Sequence, residues 1–401
     1  MAIKTLTFYS NYFNHHQKAL CDEWYKILGD GFTFVETEPV EGFRAQMGWG
    51  KEEIPSYVLK TYEDPANDKK AMELSLTSDL VVMGTAPERF IEERLKRDSI
   101  IFRYSERPLK EGFIKFFIPR LTKKYLHLHV RNRNKKIYIL AASAYTAMDY
   151  KKMFGSYPGK CYRFGYFPKH IDHDPEKLKE RKQAYALNTY GDENIITILW
   201  AGRMLKLKRP DLVIKALSAL RKKGFDFRLT MVGEGPEREN VQRLAQKLGL
   251  SDITVFRDFL SPDETLEVMA DNKIYLMTSN FWEGWGSVIY EALNAGCATV
   301  VSHAPGAAPY LVTHEKTGLI FESGSEKSLE RQTEKLLRDP EKIWELSENA
   351  YRQMEKTWNP SVAARNVLTL CEDLLNGRES SIKEGPCSKA GELRNNWYRD
   401  R

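Results

Sequence analysis

Glu283 and Glu291, with seven residues between them, bracket the stretch Gly284-Trp285-Gly286-Ser287. A glycine-rich loop feeding a helix N-terminus brings backbone N–H groups to an anion, and the helix dipole favours negative charge there. Carboxylates beside such a site must hold something else. An ionised carboxylate only accepts hydrogen bonds, so the hydroxyl groups of a sugar and a ribose fit. The plainer alternative is a loop glutamate followed by an ordinary exposed helix glutamate. Arg203 and Lys208, five apart across a loop, can converge on one multiply charged anion. Arg supplies a planar donor fork and Lys a flexible point charge. In isolation, the basic stretch from Arg203 to Pro210 reads as solvated cations.

The elements that must position these residues follow from periodicity. The apolar run 274–277 predicts a buried strand, and Ser287 opens a helix ending near Gly296. Residues 195–200, 227–232, 254–256, 299–302 and 317–321 predict further strands of one α/β run. An earlier run has strands at 3–9, 33–35, 80–83, 100–102 and 137–140. Strands alternating with helical stretches favour parallel sheets covered by helices, with ligands at the carboxyl ends of the strands. That picks out Asn14, His15 and His16, Gly84-Thr85, and Ser105-Glu106 in the first half. A polar turn and helix cap is the bland reading of Asn14 to His16. Helical spacing continues over 330–354 and over 360–375, broken at Trp358-Asn359-Pro360 because proline cannot continue a helix.

At 401 residues the chain exceeds one compact core, so two domains are expected. Residues 171–192 read as a linker that contains a charged helix; the tail after Gly377 is polar, either disordered or strapped on the N-terminal domain. Five dispersed cysteines without a C-x-x-C pair point to reduced thiols in a cytosol, against a zinc site or disulfide framework. No apolar core of signal-peptide length follows the start, and no apolar run approaches a membrane span. The net charge of +6 is concentrated between Lys110 and Lys136, which hold nine basic residues and one acid, Glu111. Interleaved aromatics there suit an anionic membrane surface; the competing expectation is a solvated basic helix whose aromatics face the core. No nucleic-acid motif accompanies the charge. Asp172-His173-Asp174 has the D-x-D form of some metal sites but precedes a proline and reads as a turn. Gly233-Glu234-Gly235-Pro236 follows a strand, yet a dinucleotide fingerprint needs glycine where Arg238 stands.

Taken in chain order, Gly202-Arg203 with Lys208, Gly233 to Pro236, Glu283 to Glu291, and Thr317-Gly318-Leu319 resemble the donor domain of retaining glycosyltransferase family 4, with its E-x7-E signature. The first half resembles that family only in its rhythm and in Ser143 after a strand. The resemblance implies the GT-B fold: two Rossmann-like α/β domains with parallel sheets facing across an interdomain cleft, and a C-terminal helix returning to the N-terminal domain. The boundaries are then 1–170 with about 358–401 packed back, the linker, and 193–357 for the donor domain. It implies a retaining, metal-independent transferase moving a sugar from a UDP- or GDP-type donor to a glycan or lipid-linked acceptor in bacterial surface polysaccharide synthesis. No cofactor or metal is expected, and the location is cytoplasmic, on the inner face of the plasma membrane. Arg203 and Lys208 would neutralise the diphosphate. Backbone around Gly284, Trp285, Gly286 and Ser287 would bind the distal phosphate. Glu283 would hold sugar hydroxyls and Glu291 the ribose, with the base near Gly233 and the loop carrying Phe259 and Leu260. Asn14, His15, His16, Ser105 and Glu106 would face the acceptor or sugar. The chain departs from the family at Tyr104-Ser105-Glu106, where a histidine is usual, and at Tyr310, where glutamate is common. A nucleotide-sugar epimerase or a catalytically idle binding subunit on the same scaffold are the rival readings.

Overall fold

The apolar runs become strands buried on both faces, as parallel sheets covered by helices require. The computed structural model describes residues 2–40 and 53–399. They fall into two units: Met1–Lys169 with Thr357–Arg394, and His170–Lys356 with the chain from Asn395 onward.

The first unit holds β1 (Leu6–Ser10), β2 (Phe32–Glu36), β3 (Val58–Lys60), β4 (Leu80–Met83), β5 (Ile101–Ser105), β6 (Ile137–Ala141) and β7 (Cys161–Arg163). They form one sheet in the order β3-β2-β1-β4-β5-β6-β7, every pair parallel. Tyr9, Val81, Met83, Ile101 and Ile139 pack one face. On the other, Phe8 lies edge-on to Trp24 and Phe34 at 5.9 and 5.1 Å. The helix Pro360–Leu375 belongs to this unit, and Trp24 Nε1 donates to Ala364 O at 3.2 Å.

The second unit holds β8 (Ile196–Ala201), β9 (Phe227–Val232), β10 (Thr254–Arg257), β11 (Ile274–Met277), β12 (Ala298–Ser302) and β13 (Leu319–Phe321). The order is β10-β9-β8-β11-β12-β13, again all parallel. Strand order reverses between β8 and β11, the position where open α/β sheets take ligands at their carboxyl edge. Ile198, Trp200, Leu229, Met231, Leu276 and Val300 form its core with the amphipathic helices Pro210–Lys222 and Glu326–Arg338.

Several expectations change. The 171–192 segment, read as a linker around a charged helix, does hold that helix, and it falls within the second unit. Asp174 caps a helix, Pro175–Tyr190, by accepting from Glu176 N at 3.0 Å. Lys182 on that helix is fully buried, donating to Met269 O and Asn272 O at 3.0 and 2.7 Å, which pins the helix to the second unit. Helical spacing over 330–354 is two helices, because Pro340 starts a new one after Asp339. The tail is ordered in two parts. Arg163 N donates to Ser388 O at 2.7 Å and Ala390 N to Cys161 O at 3.0 Å, so the tail covers the edge of β7. Beyond it the tail leaves the first unit: Trp397 Nε1 donates to His303 O at 3.2 Å in the second.

Candidate functional site

Three loops meet at the switch point of the second sheet. The loop after β8 carries Arg203 and Lys208, and the loop after β11 carries Glu283. Backbone and hidden polar groups tie these two together. Asn280 N donates to Leu207 O at 2.8 Å. Trp200 Nε1 donates to Thr278 Oγ1 at 3.0 Å, and that hydroxyl donates to Lys208 O at 2.7 Å. The Lys208 main chain is therefore fixed by a buried indole, and its ammonium reaches Glu283 Oε2 directly. Ser279 Oγ donates to the same carboxylate oxygen at 3.0 Å. Arg203 sits exposed at the mouth of its loop.

The third loop, Gly233 to Glu237, lies against the first. Met204 N donates to Glu234 O at 2.7 Å and Glu237 N to Met204 O at 3.0 Å. Gly233 has φ of +126°, and a Cβ there would stand 2.2 Å from Gly202 O. Only glycine permits that approach. Arg238, where a dinucleotide fingerprint would carry its third glycine, donates to Gly233 O at 3.1 Å and pairs with Asp258 at 2.6 Å. It locks the ends of β9 and β10 together. In the loop after β10, Phe259 is exposed and Leu260 half-buried.

Gly286, in the left-handed region at φ +90°, turns the chain into the helix Ser287–Asn294. Among the described residues no side chain caps this end, so the first-turn amides and the dipole give it anion-binding character. A Cβ on Gly286 would press on Met277 Cε at 3.1 Å and Pro305 Cβ at 3.3 Å. The Trp285 indole is buried beside Tyr310, 6.1 Å between centroids, so this residue offers a ligand its backbone rather than its ring. One turn along the helix, burial raises the Glu291 carboxyl to about 7, against a smaller opposing pull from Lys208. Lys208 is thus close to both glutamates.

The first-unit candidates divide. Asn14 is a helix cap, accepting from His16 N at 3.0 Å. The His15 and His16 rings lie 3.9 Å apart, tilted by 49°, and burial holds His16 well below the usual imidazole range. The His16 ring lies 6.1 Å from that of Tyr166, whose hydroxyl donates to Glu106 Oε1 at 3.0 Å. Ser105 Oγ donates to Glu106 O at 2.7 Å. His16, Glu106 and Tyr166 therefore form one polar cluster at the carboxyl end of the first sheet. Sequence reading missed Tyr166 because β7 is short, although the alternation of residues 161–167 could have disclosed it. It also passed over Ser279, a serine that only the fold brings to Glu283.

Comparison with known proteins gives this site a context. Residues 180–353 match the family described as glycosyl transferases group 1. That match contains Arg203, Lys208, Gly233, Glu283 and Glu291. A GDP-mannose-dependent alpha-(1-6)-phosphatidylinositol monomannoside mannosyltransferase of Mycolicibacterium smegmatis is 30% identical over 173 residues, 42% of this chain and 44% of that protein. The chain spans about half the length of the curated relatives it matches. In fold, the chain is similar over 93% of its length to Anabaena Alr3699/HepE, solved in complex with UDP, at a TM-score of 0.65 and 15% identity, covering 100% of that chain. It is also similar to WaaG, a glycosyltransferase involved in lipopolysaccharide biosynthesis, at a TM-score of 0.60 and 19% identity, covering 93% of this chain and 100% of that one. The two Rossmann-like domains with parallel sheets are the fold of these GT-B glycosyltransferases.

Proposed function

We propose that the chain is a retaining, metal-independent glycosyltransferase. It moves a sugar from a UDP- or GDP-linked donor to a glycan or lipid-linked acceptor in surface polysaccharide synthesis, at the cytoplasmic membrane face. The observation that supports this reading is the pairing of Lys208 with Glu283 beside an anion-favouring helix start at the switch point, with Arg203 on the same loop as Lys208, inside the segment matching glycosyl transferases group 1. Arg203 and Lys208 neutralise the diphosphate as it leaves. Such preorganised charge stabilises a transition state by several kcal/mol, ~3 for one removed donor. Glu283, oriented by Ser279 and Lys208, accepts from donor sugar hydroxyls, and Glu291 accepts from the ribose. The acceptor oxygen forms its bond to the anomeric carbon on the face from which the phosphate departs. The carbon–oxygen bond to phosphate breaks, and a phosphate oxygen takes the acceptor's proton. His16, Glu106 and Tyr166 receive the acceptor or the outer face of the sugar.

Thermal shift against a panel of UDP-, GDP- and ADP-sugars tests the reading. One of them raises the melting temperature of the wild-type protein, and Lys208→Ala removes that rise while keeping its own melting temperature near that of the wild type. If no nucleotide-sugar stabilises the protein, the reading fails.

A further inference from the structure

The basic segment 110–136 packs differently from a helix with its aromatics turned inward. Phe113–Phe117 is a tight helical turn, followed by the helix Pro119–Tyr125, none of whose residues is buried, and a wide turn Leu126–Val130. Two aromatics anchor the segment. Phe116 and Tyr125 lie 5.4 Å apart against the first unit's core, and Thr122 Oγ1 donates to Phe116 O at 2.6 Å. Four other apolar residues are exposed: Phe117 at 83%, Ile114 at 72%, Ile118 at 47% and Phe113 at 44%.

The tertiary structure enlarges this ridge with a second segment. Phe154, 54% exposed, sits edge-on to Phe116 at 5.7 Å, and Lys152 Nζ lies over the Phe113 ring at 5.7 Å. Arg120, Lys123, Lys124, Lys151 and Lys152, all exposed, lie in the same two segments. An isolated exposed phenylalanine needs no explanation, but five large exposed apolar side chains in two segments joined through Phe116, interspersed with cations, do. Water-exposed aromatic surface of this kind is stable when it enters an acyl–headgroup boundary, and each flanking cation near an anionic leaflet adds about 1 kcal/mol there. A protein partner would meet a surface in which five cations outnumber the acids Glu111 and Glu392, the latter already paired with Lys151, a match only for a strongly acidic face.

We propose that Phe113, Ile114, Phe117, Ile118 and Phe154, with Arg120, Lys123, Lys124 and Lys152, form a docking surface for anionic phospholipid bilayers. The apolar residues insert, and the cations hold the headgroups. This surface lies outside the switch point of the second sheet, so it stands or falls independently of sugar transfer.

Co-sedimentation of the full chain with vesicles of phosphatidylglycerol and phosphatidylcholine in equal parts tests it, against vesicles of phosphatidylcholine alone. The protein pellets with the anionic vesicles, and the bound fraction falls steeply as salt shrinks the electrostatic range. Ile114→Ser with Phe117→Ser, and separately Lys123→Gln with Lys124→Gln, each weaken binding by roughly tenfold or more. Circular dichroism of both variants matches the wild type, since all four side chains are in solvent. Lys208→Ala binds vesicles like the wild type, which separates a failure here from a failure of the transferase reading. Equal binding to neutral vesicles, no binding to anionic ones, or unchanged binding by both variants overturns the proposal. So does a concentration-dependent dimer that Phe117→Ser abolishes, since a second copy would then be the occupant.

Discussion

At Glu283 and Glu291, eight positions apart in sequence, the response to pH is set by the burial of Glu291 and opposed by Lys208. Its ammonium pairs with Glu283, while burial lifts the Glu291 carboxyl from the ordinary 4.5 to about 7. A carboxyl raised on folding favours the folded state fully below pH 4.5, and that contribution is lost as pH rises through about 7. Glu291→Gln has no such loss. The variant should match the wild type near pH 4.5 and exceed it in stability at pH 8, by up to ~3 kcal/mol; urea unfolding at the two pH values measures this. The identities of Arg203, Lys208, Glu283 and Glu291 were legible because their spacing sits in recognisable strand–loop–helix frames. Ser279 was not, since a serine before a loop carries no periodic signal. Nor was Tyr166, past the three-residue β7, although His16 and Glu106, with which it clusters, were picked from their places after strands.

At the level of elements, long uniform apolar runs were readable. β4, β9 and β11 have the boundaries that their sequences predict, because burial on both faces leaves continuous aliphatic stretches. β3 and β7 are three residues each, and β3 is only half-buried, so neither has a pattern long enough to stand out. The charged helix Pro175–Tyr190 was readable, but its docking was not: it buries only Leu178, Lys182 and Ala186, and a buried lysine reads as a solvated one. Glycine placement is the sharper constraint. Gly233 at φ +126° abuts Gly202 O, and Gly233→Ala must push the loops after β8 and β9 apart. A left-handed strain plus a backbone clash should cost about 2–4 kcal/mol and lower the melting temperature by several degrees. Gly249→Ala is the control. Gly249 also has a positive φ, at +72°, but nothing lies within 4 Å of the added carbon, so the variant should lose less.

The whole chain is two parallel-sheet units, each closed by a piece of sequence far from the rest of it. For the first, that piece is the polar tail; strapping on the N-terminal domain was one of its two readings, but its composition did not single out β7 as the edge it covers. Cys387 N donates to Arg163 O at 2.7 Å, and Cys387 itself is fully buried. Ending the chain at Gly377 bares the β7 edge and should lower the first unit's melting temperature by roughly 5–10 °C in calorimetry; an unchanged value would mean that the tail is only decoration. Since a two-unit chain need not unfold in one step, the thermogram should be read for separate transitions. The central claim remains chemical: the switch point of the second sheet grips a pyrophosphate. Isothermal titration of UDP and GDP against UMP and GMP tests it most directly. One diphosphate should bind at least about tenfold more tightly than its monophosphate, and Lys208→Ala should erase that difference. Equal affinity for mono- and diphosphate in the wild-type protein, or binding of neither, would contradict the account.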